Sequence, residues 1–261
     1  MNVSRDFPSV SHDLEKKLSK LKTAFEQETS ENDFAALEER ISDLREIVNC
    51  PRCHQSYTRA WSDSRENLLR DVQSLAAKSF GLIEKAASYR LSKDHRCIND
   101  YLKEVSRTTI RHGEVASFDH RSRVLFIGCG AMPLSCHILV RHFGCRVVGI
   151  DADLDAIEQS KELTKNSYQD RLSLEYGLGE QYPAKGFSHV MVASLVPEKE
   201  AILTHLHRSV DPGSKIVCRF GNGLQRLLNY PLKTGPRKEW ERLWMLGDLA
   251  SLYQTLVFSK R

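Results

Sequence analysis

From Arg121 onward, short runs rich in β-branched and aromatic residues alternate with segments of helical periodicity. In chain order the runs are RVLFIG, CRVVGID, LSLEYG, FSHVMVAS, SKIVCRF and YQTLVFS. Strands that alternate with helices indicate crossover connections, which make neighbouring strands parallel and cover both faces of the sheet. This part of the chain therefore predicts an α/β fold with a mainly parallel sheet.

The preceding residues show a different pattern, in which apolar side chains recur at intervals of three and four. Such stripes run over Leu14–Phe25, Phe34–Val48 and Leu68–Ile83, and residues 98–110 predict a fourth helix. This spacing places the apolar side chains on one helix face. We therefore predict an all-α N-terminal cap domain over residues 1–118 and the α/β domain over residues 119–261.

Charge and hydropathy narrow the range of partners. The 38 Lys and Arg residues nearly balance the 34 Asp and Glu residues, and the formal net charge of +4 is spread along the chain, which argues against nucleic acid as the main partner. The N-terminal residues lack the apolar core of a signal peptide, and no apolar run approaches the roughly 18 residues of a membrane span. The odd number of cysteines, seven, fits reduced thiols. These features predict a cytoplasmic protein without a membrane partner.

A pair of glycines follows the first β run. Gly128 and Gly130 come directly after the strand, and a helix is expected to start near Pro133, where a proline is tolerated. Asp151 ends the next β run, about twenty residues on, where a carboxylate can accept hydrogen bonds from ribose hydroxyls. The alternative is a plain glycine turn beside an exposed aspartate. We favour a Rossmann-like domain that binds a ligand containing a nucleoside.

The residues after the glycines help to choose the nucleoside. A dinucleotide site uses a third glycine to approach the pyrophosphate, whereas residues 131–134 here read AMPL. S-adenosylmethionine (SAM) has no phosphate, so we expect SAM as a co-substrate, with no metal required. In such a sheet the adenine would lie near Tyr176 and Gly177, and the reacting end near Ser194.

Two segments carry a family resemblance. VLFIGCGAMPLS resembles the glycine segment of nicotianamine synthases and of the bacterial enzymes that make the opine metallophores staphylopine, pseudopaline and yersinopine. CRFGNGLQRLLNYP resembles the Arg-Phe-Gly-x-Gly run of the bacterial branch, which ends in Asn-Tyr-Pro. The resemblance covers most of residues 80–235. It implies transfer of the 2-aminobutanoyl (3-amino-3-carboxypropyl) group of SAM to the α-amine of histidine, with release of methylthioadenosine.

The resemblance also implies partners for that reaction. A downstream opine dehydrogenase would join the product to a 2-oxoacid. L-Histidine is favoured over D-histidine as the acceptor, because the helical half of this chain departs from the staphylococcal type. The apolar helical cap is compatible with a homodimer.

The same resemblance assigns roles in the site. Glu84 corresponds to a helical glutamate that serves as base or amine anchor, and its alternative is a solvated helix face. Tyr101 falls near a tyrosine that orients the acceptor or relays a proton. Arg219, at the end of a strand, would bind a substrate carboxylate in a bidentate fork. Further substrate contacts are expected from a small polar set: Asn222, Asn229 and Tyr230. For the last two, a turn that simply ends a helix is an equal alternative.

Two rival functions remain. An ordinary SAM-dependent methyltransferase of small molecules would share every feature from Gly128 to Asp151. A non-catalytic metal- or haem-binding module would use the segment Cys50-Pro51-Arg52-Cys53-His54, which spells a haem-attachment pattern. Haem attachment needs export, and a structural zinc site needs a second cysteine pair. We therefore interpret the segment as a loop with free thiols that breaks the helix.

Overall fold

The computed structural model describes residues 7–27, 34–60, 65–93, 100–165, 167–168, 170–233, 240–247, 251 and 253–261. The helices are α1 (Phe7–Gln27), α2 (Phe34–Asn49), α3 (Pro51–Ala60), α4 (Glu66–Lys93), α5 (Asp100–Ala116), α6 (Leu134–Phe143), α7 (Leu154–Thr164), α8 (Lys199–Ser209) and a 3₁₀ helix, Gly223–Leu227. The strands are β1 (Arg123–Ile127), β2 (Arg146–Asp151), β3 (Leu172–Tyr176), β4 (His189–Val192), β5 (Lys215–Phe220), β6 (Trp240–Leu246) and β7 (Gln254–Lys260). In the described part of the chain, no helix combines the length and apolarity needed to cross a bilayer.

The strands form one seven-stranded sheet in the order β3-β2-β1-β4-β5-β7-β6. β1 to β5 are parallel to one another, and β7 is antiparallel to both β5 and β6. The predicted α/β class and mainly parallel sheet are therefore confirmed. β6 was not expected, because its strand alternates only loosely and leaves Trp244 and Met245 exposed.

Both faces of the sheet are covered, as the apolar runs require. Leu125 and Ile127 of β1 pack into a core with α8, whereas Val124 and Phe126 point to the other face and pack with α6 and α7. Successive side chains of a strand point to opposite faces. A run with no polar interruption is therefore buried on both sides.

The helices before the sheet divide into two sets. α1 to α4 share a core of their own, which also takes in Leu224, Leu227 and Leu228 from the 3₁₀ helix and the turn after it. α5 instead packs on α6 and the sheet: Gly113 lies so close to the ring of Phe143 that a Cβ there would collide with it. The domain boundary at residue 118 stays a prediction. The packing of α5 associates this helix with the sheet, although it precedes that boundary.

The segment from Cys50 to His54 was expected to be a loop, and that expectation is wrong. α2 ends at Asn49 as predicted, but α3 begins at once with Pro51. A proline is accepted at the first helical position because the N–H it lacks has no intrahelical partner there. The same proline thus ends one helix and begins the next.

Candidate active site

A cleft of about 370 Å³ opens at the carboxyl ends of β1, β2 and β4, with α4 forming part of its wall. This volume suits a small-molecule ligand. Open α/β sheets bind ligands at this edge, where the strand order reverses. In this sheet the reversal lies at β1, between β2 and β4.

The turn after β1 is built around two glycines in the left-handed region, with φ of 85° at Gly128 and 67° at Gly130. A Cβ on Gly128 would collide with the side chain of Val196. A Cβ on Gly130 would lie 2.6 Å from Oε2 of Glu84. Both the backbone conformation and the available space therefore require glycine at these positions.

Asp151, the last residue of β2, holds this turn in place. Its Oδ2 accepts the N–H of Gly130 at 2.8 Å, and its Oδ1 accepts the N–H of Asp153 at 3.0 Å. Burial raises the pKa of Asp151, and the charge of Asp153 adds to that effect while the backbone N–H groups oppose it. The carboxylate lines the cleft, where its remaining lone pairs can accept hydrogen bonds from a ligand.

Glu84 enters the cleft from α4, one of the helices that precede the sheet. Its side chain is half-buried: part of its surface faces the cleft, and protein atoms crowd the rest. This desolvation, together with the charge of Asp151, raises the pKa of Glu84 to about 7. A carboxyl group with that pKa exchanges protons readily near neutral pH.

Arg219 is the second-last residue of β5, and its guanidinium is buried against neutral groups. Nε donates to Nδ1 of His112 at 3.3 Å, and the two terminal nitrogens donate to Oγ of Ser135 at 3.0 Å and Oγ1 of Thr109 at 2.9 Å. The carbon between these nitrogens lies 5.1 Å from the centre of the Tyr253 ring. Among the described residues no carboxylate pairs with Arg219, and one N–H on each terminal nitrogen remains without a partner.

His112 is suited to its role as an acceptor. Burial, and then the charges of Arg219 and Arg111, lower the pKa of His112 well below its ordinary range. The ring therefore stays neutral at pH 7 and accepts the Nε–H of Arg219. Since Arg219 also lines the cleft, the arrangement presents a buried cation that lacks an anion.

The family model for nicotianamine synthase protein matches residues 99–246, more than half of the chain. The chain belongs to the nicotianamine synthase family. It is 29% identical over 149 residues to an L-histidine 2-aminobutanoyltransferase of Pseudomonas aeruginosa (strain UCBPP-PA14), a match that covers 56% of each protein. It is 26% identical over 220 residues to one of Yersinia pestis, with 84% of this chain and 82% of that protein covered. The match thus spans about half the length of the Pseudomonas relative.

A solved structure shares the whole architecture. The crystal structure of a mutant of MtNAS in complex with S-adenosylmethionine superposes with a TM-score of 0.79 at 17% sequence identity, covering 94% of this chain and 97% of that one. The similarity shows that the fold of the family extends through the helical residues before position 99. The resemblance that the glycine and Arg219 segments predicted is confirmed.

In this member of the nicotianamine synthase family, several predicted residues meet in the cleft. Its lining includes Gly177 and Ser194 in addition to the glycine turn, Asp151, Glu84 and Arg219. Pro133 caps the N-terminus of α6, one residue before the helix begins. Tyr101 lies in α5, but its side chain is outside the described residues.

Other predicted residues lie away from the lining of the cleft. Tyr176 is 55% exposed, while Asn222 donates to the carbonyl of Leu232 at 3.3 Å and Asn229 to that of Gln225 at 3.1 Å. The backbone N–H of Tyr230 donates to the carbonyl of Ser194 at 2.9 Å. These contacts fit the alternative of a structural turn for the Asn229 segment, and substrate roles for these residues stay predictions.

Sequence reasoning missed Lys199, at the start of α8. Its side chain is fully buried, and its Nζ donates to the carbonyls of Ser194, at 2.9 Å, and Val196. Burial lowers the pKa of Lys199 to about 8. The lysine supports the loop after β4 that lines the cleft, yet a lysine in the first turn of a helix looks in sequence like a surface residue.

Within the described ranges, no group of three or more His, Cys, Asp or Glu side chains is placed to hold a metal ion. The expectation that the reaction needs no metal stays a prediction.

Proposed function

We propose that the protein transfers the 2-aminobutanoyl group of SAM to the α-amine of histidine and releases methylthioadenosine. The observation that carries the proposal is the position of Glu84, a carboxyl group with a pKa of about 7 against the glycine turn of a cleft suited to SAM. The two relatives named L-histidine 2-aminobutanoyltransferase support the proposal.

The cleft has the features that SAM requires. The turn of Gly128 and Gly130 lines the cleft, and Asp151 offers lone pairs to the ribose hydroxyls of SAM. The segment after Gly130 lacks the third glycine of a pyrophosphate site. SAM is thus a better fit than a dinucleotide.

The chemistry demands a free amine, which is mostly protonated at neutral pH. In its ionised form Glu84 takes a proton from the ammonium group of the acceptor. The nitrogen lone pair then attacks the γ-carbon of the methionyl chain, a C–N bond forms, and the C–S bond breaks. The sulfonium leaves as neutral methylthioadenosine, so the protein need only hold the nitrogen and the γ-carbon in line.

Arg219 supplies a site for a carboxylate. SAM and histidine each carry one, and each terminal nitrogen of Arg219 keeps an N–H that can donate to a carboxylate oxygen. A buried guanidinium surrounded by neutral acceptors gains most from a ligand that brings the missing negative charge.

The wider setting is part of the proposal. The product would pass to an opine dehydrogenase for condensation with a 2-oxoacid in metallophore biosynthesis, in the cytoplasm. L-Histidine is the favoured acceptor. A homodimer through the helical domain is compatible with this assignment.

The test is to incubate the purified protein with SAM and each enantiomer of histidine and to analyse both products by mass spectrometry. We expect methylthioadenosine together with histidine enlarged by the aminobutanoyl group, faster with L-histidine. S-Adenosylhomocysteine in its place would reject the proposal and establish the methyltransferase alternative. Methylthioadenosine without a histidine adduct would point to another acceptor amine.

A further inference from the structure

Two cysteines at the junction of α2 and α3 take no part in the site described above. Cys50 is the residue before α3, and Cys53 lies in its first turn. The backbone N–H of Cys53 donates to Sγ of Cys50 at 3.4 Å. Cys50 therefore caps the helix with its sulfur, as serine or aspartate does elsewhere.

The two thiols differ in their surroundings. Cys50 is half-buried and reaches the surface, whereas Cys53 is 7% exposed and packs in the core of the helical domain. Residues three apart at the start of a helix are neighbours on one face. This places a reachable thiol next to a sheltered one.

Their charges differ in the same sense. Burial opposes ionisation of Cys50, but hydrogen bonds from the Cys53 thiol and from the backbone N–H groups of Cys53 and Arg52, with the ammonium of Lys17, lower the pKa of Cys50 overall. Burial, followed by the interaction with Cys50, raises the pKa of Cys53 to about 11. Across from them on α1, Lys17 is paired with Asp13 at 3.3 Å. The negative end of the pair is thus Cys50, at the positive end of α3.

The neighbouring side chains do not supply a metal site. Nε2 of His54 lies 2.6 Å from the carbonyl of Val48, which occupies that nitrogen. No third ligand is placed beside the two thiols within the described residues. Cys50 and Cys53 are thus two free thiols side by side.

We infer that Cys50 and Cys53 form a redox-active dithiol whose substrates are low-molecular-weight disulfides. The Cys50 thiolate attacks one sulfur of the disulfide, an S–S bond to Cys50 forms, and the other half leaves as a thiolate. Cys53, after losing its proton to solvent, attacks Sγ of Cys50 and expels the second half. One external disulfide is reduced to two thiols, and the two protein thiols are oxidised to one disulfide.

The test uses the full-length chain with Cys97→Ser, since Cys97 lies outside the described residues. The protein is equilibrated with mixtures of reduced and oxidised glutathione, quenched with acid, alkylated and digested with trypsin. Trypsin cleaves after Arg52, so a disulfide between Cys50 and Cys53 joins two otherwise separate peptides. We expect these joined peptides to appear as the glutathione mixture becomes more oxidising, while the buried thiols of Cys129 and Cys218 stay alkylatable after unfolding.

Two variants separate the roles of the thiols. Cys53→Ala should accumulate a stable glutathione adduct on Cys50, because the resolving thiol is gone. Cys50→Ser preserves a capping oxygen, and it should slow exchange at this segment at least about tenfold. If both cysteines of the folded protein stay reduced in every mixture, or if Cys53 reacts as fast as Cys50, the inference is wrong. The unfolded chain in urea, in which all thiols react, serves as the control for the reagents.

Discussion

Glu84 and Asp151 both lie against Gly130, and the charge of Asp151 contributes to raising the pKa of Glu84 to about 7. The two carboxyl groups come from different layers of the protein, α4 and β2. The two carboxyl groups differ in their partners: backbone N–H groups donate to Asp151, whereas Glu84 has a raised pKa that suits proton exchange near neutral pH.

Glu84→Gln is expected to lower turnover by about a hundredfold to ten-thousandfold while leaving SAM binding unchanged. The amide keeps the shape of the side chain but cannot take a proton. In the wild type the ionised form is the active one, so kcat should rise with pH up to about 7 and then level off. Rate measurements from pH 5 to pH 9 should show that this inflection disappears in the variant.

Glu38→Gln is the matched control, since Glu38 is exposed on α2. It makes the same chemical change on a helix surface and should leave both kcat and its pH profile intact. A normal pH profile in Glu84→Gln would remove Glu84 from the reaction.

Gly130→Ala should damage the site as well as the fold. The residue has a φ of 67°, and the added methyl would press on Glu84. We expect SAM to bind at least about tenfold more weakly, equivalent to about 1.4 kcal/mol, as measured by calorimetry. Gly213→Ala carries the same backbone strain, with a φ of 80°, but its methyl would meet open space. It should lose about 1 kcal/mol of stability and bind SAM normally, and equal SAM affinities in the two variants would contradict the crowding at Gly130.

Arg219→Lys should weaken binding of whichever substrate carboxylate Arg219 holds. Lysine keeps the positive charge but loses the planar fork, so we expect a loss of about 1.5 to 3 kcal/mol in affinity for SAM or for histidine. Methylthioadenosine has no carboxylate and provides the internal control. It should bind to the variant as it does to the wild type, whereas a parallel loss of methylthioadenosine binding would indicate a collapsed cleft.

His189 should contribute to acid lability. Its Nε2 lies 3.1 Å from the carbonyl of Ala116, and burial lowers the pKa of His189 from 6.5 to about 4. Between those pH values the unfolded chain binds a proton that the folded chain does not, so stability falls as the pH falls. The loss should reach up to about 3 kcal/mol, since one pKa unit is worth about 1.4 kcal/mol.

The measurement is urea unfolding at a series of pH values for the wild type and for His189→Gln, which keeps a hydrogen-bond donor. Other acidic groups titrate equally in both proteins. The difference in free energy of unfolding between them should therefore shrink from pH 7 to pH 4. A constant difference would show that folding leaves the pKa of His189 unchanged.

The local sequence pattern was enough to predict the glycine turn and the aspartate of the cleft. Gly128, Gly130 and Asp151 owe their positions to a strand, a turn and the next strand, which is a short stretch of chain with its own pattern. The resemblance added Glu84 and Arg219. The family and the α/β class follow from these same segments.

The neighbours of Arg219 could not be predicted in that way. His112 and Thr109 lie about 110 residues before Arg219 in the sequence, and Tyr253 follows β6 in the chain. Nothing in the local sequence of these residues identifies them as neighbours of Arg219. They meet only because α5, α6 and β7 pack around the end of β5. Pro51 misled for a different reason, since a proline ends a helix and begins one equally well.

β7 follows β6 in sequence, yet it lies between β6 and β5 in the sheet, with Thr255 paired to Arg219. Until β7 takes its place, β5 has an open edge and β6 has no neighbour. The ring of Tyr253 reaches the guanidinium only when that insertion is made. The surroundings of Arg219 are therefore complete only when β7 is paired with β5, and a chain in which that pairing is missing would expose a strand edge that can pair with another chain.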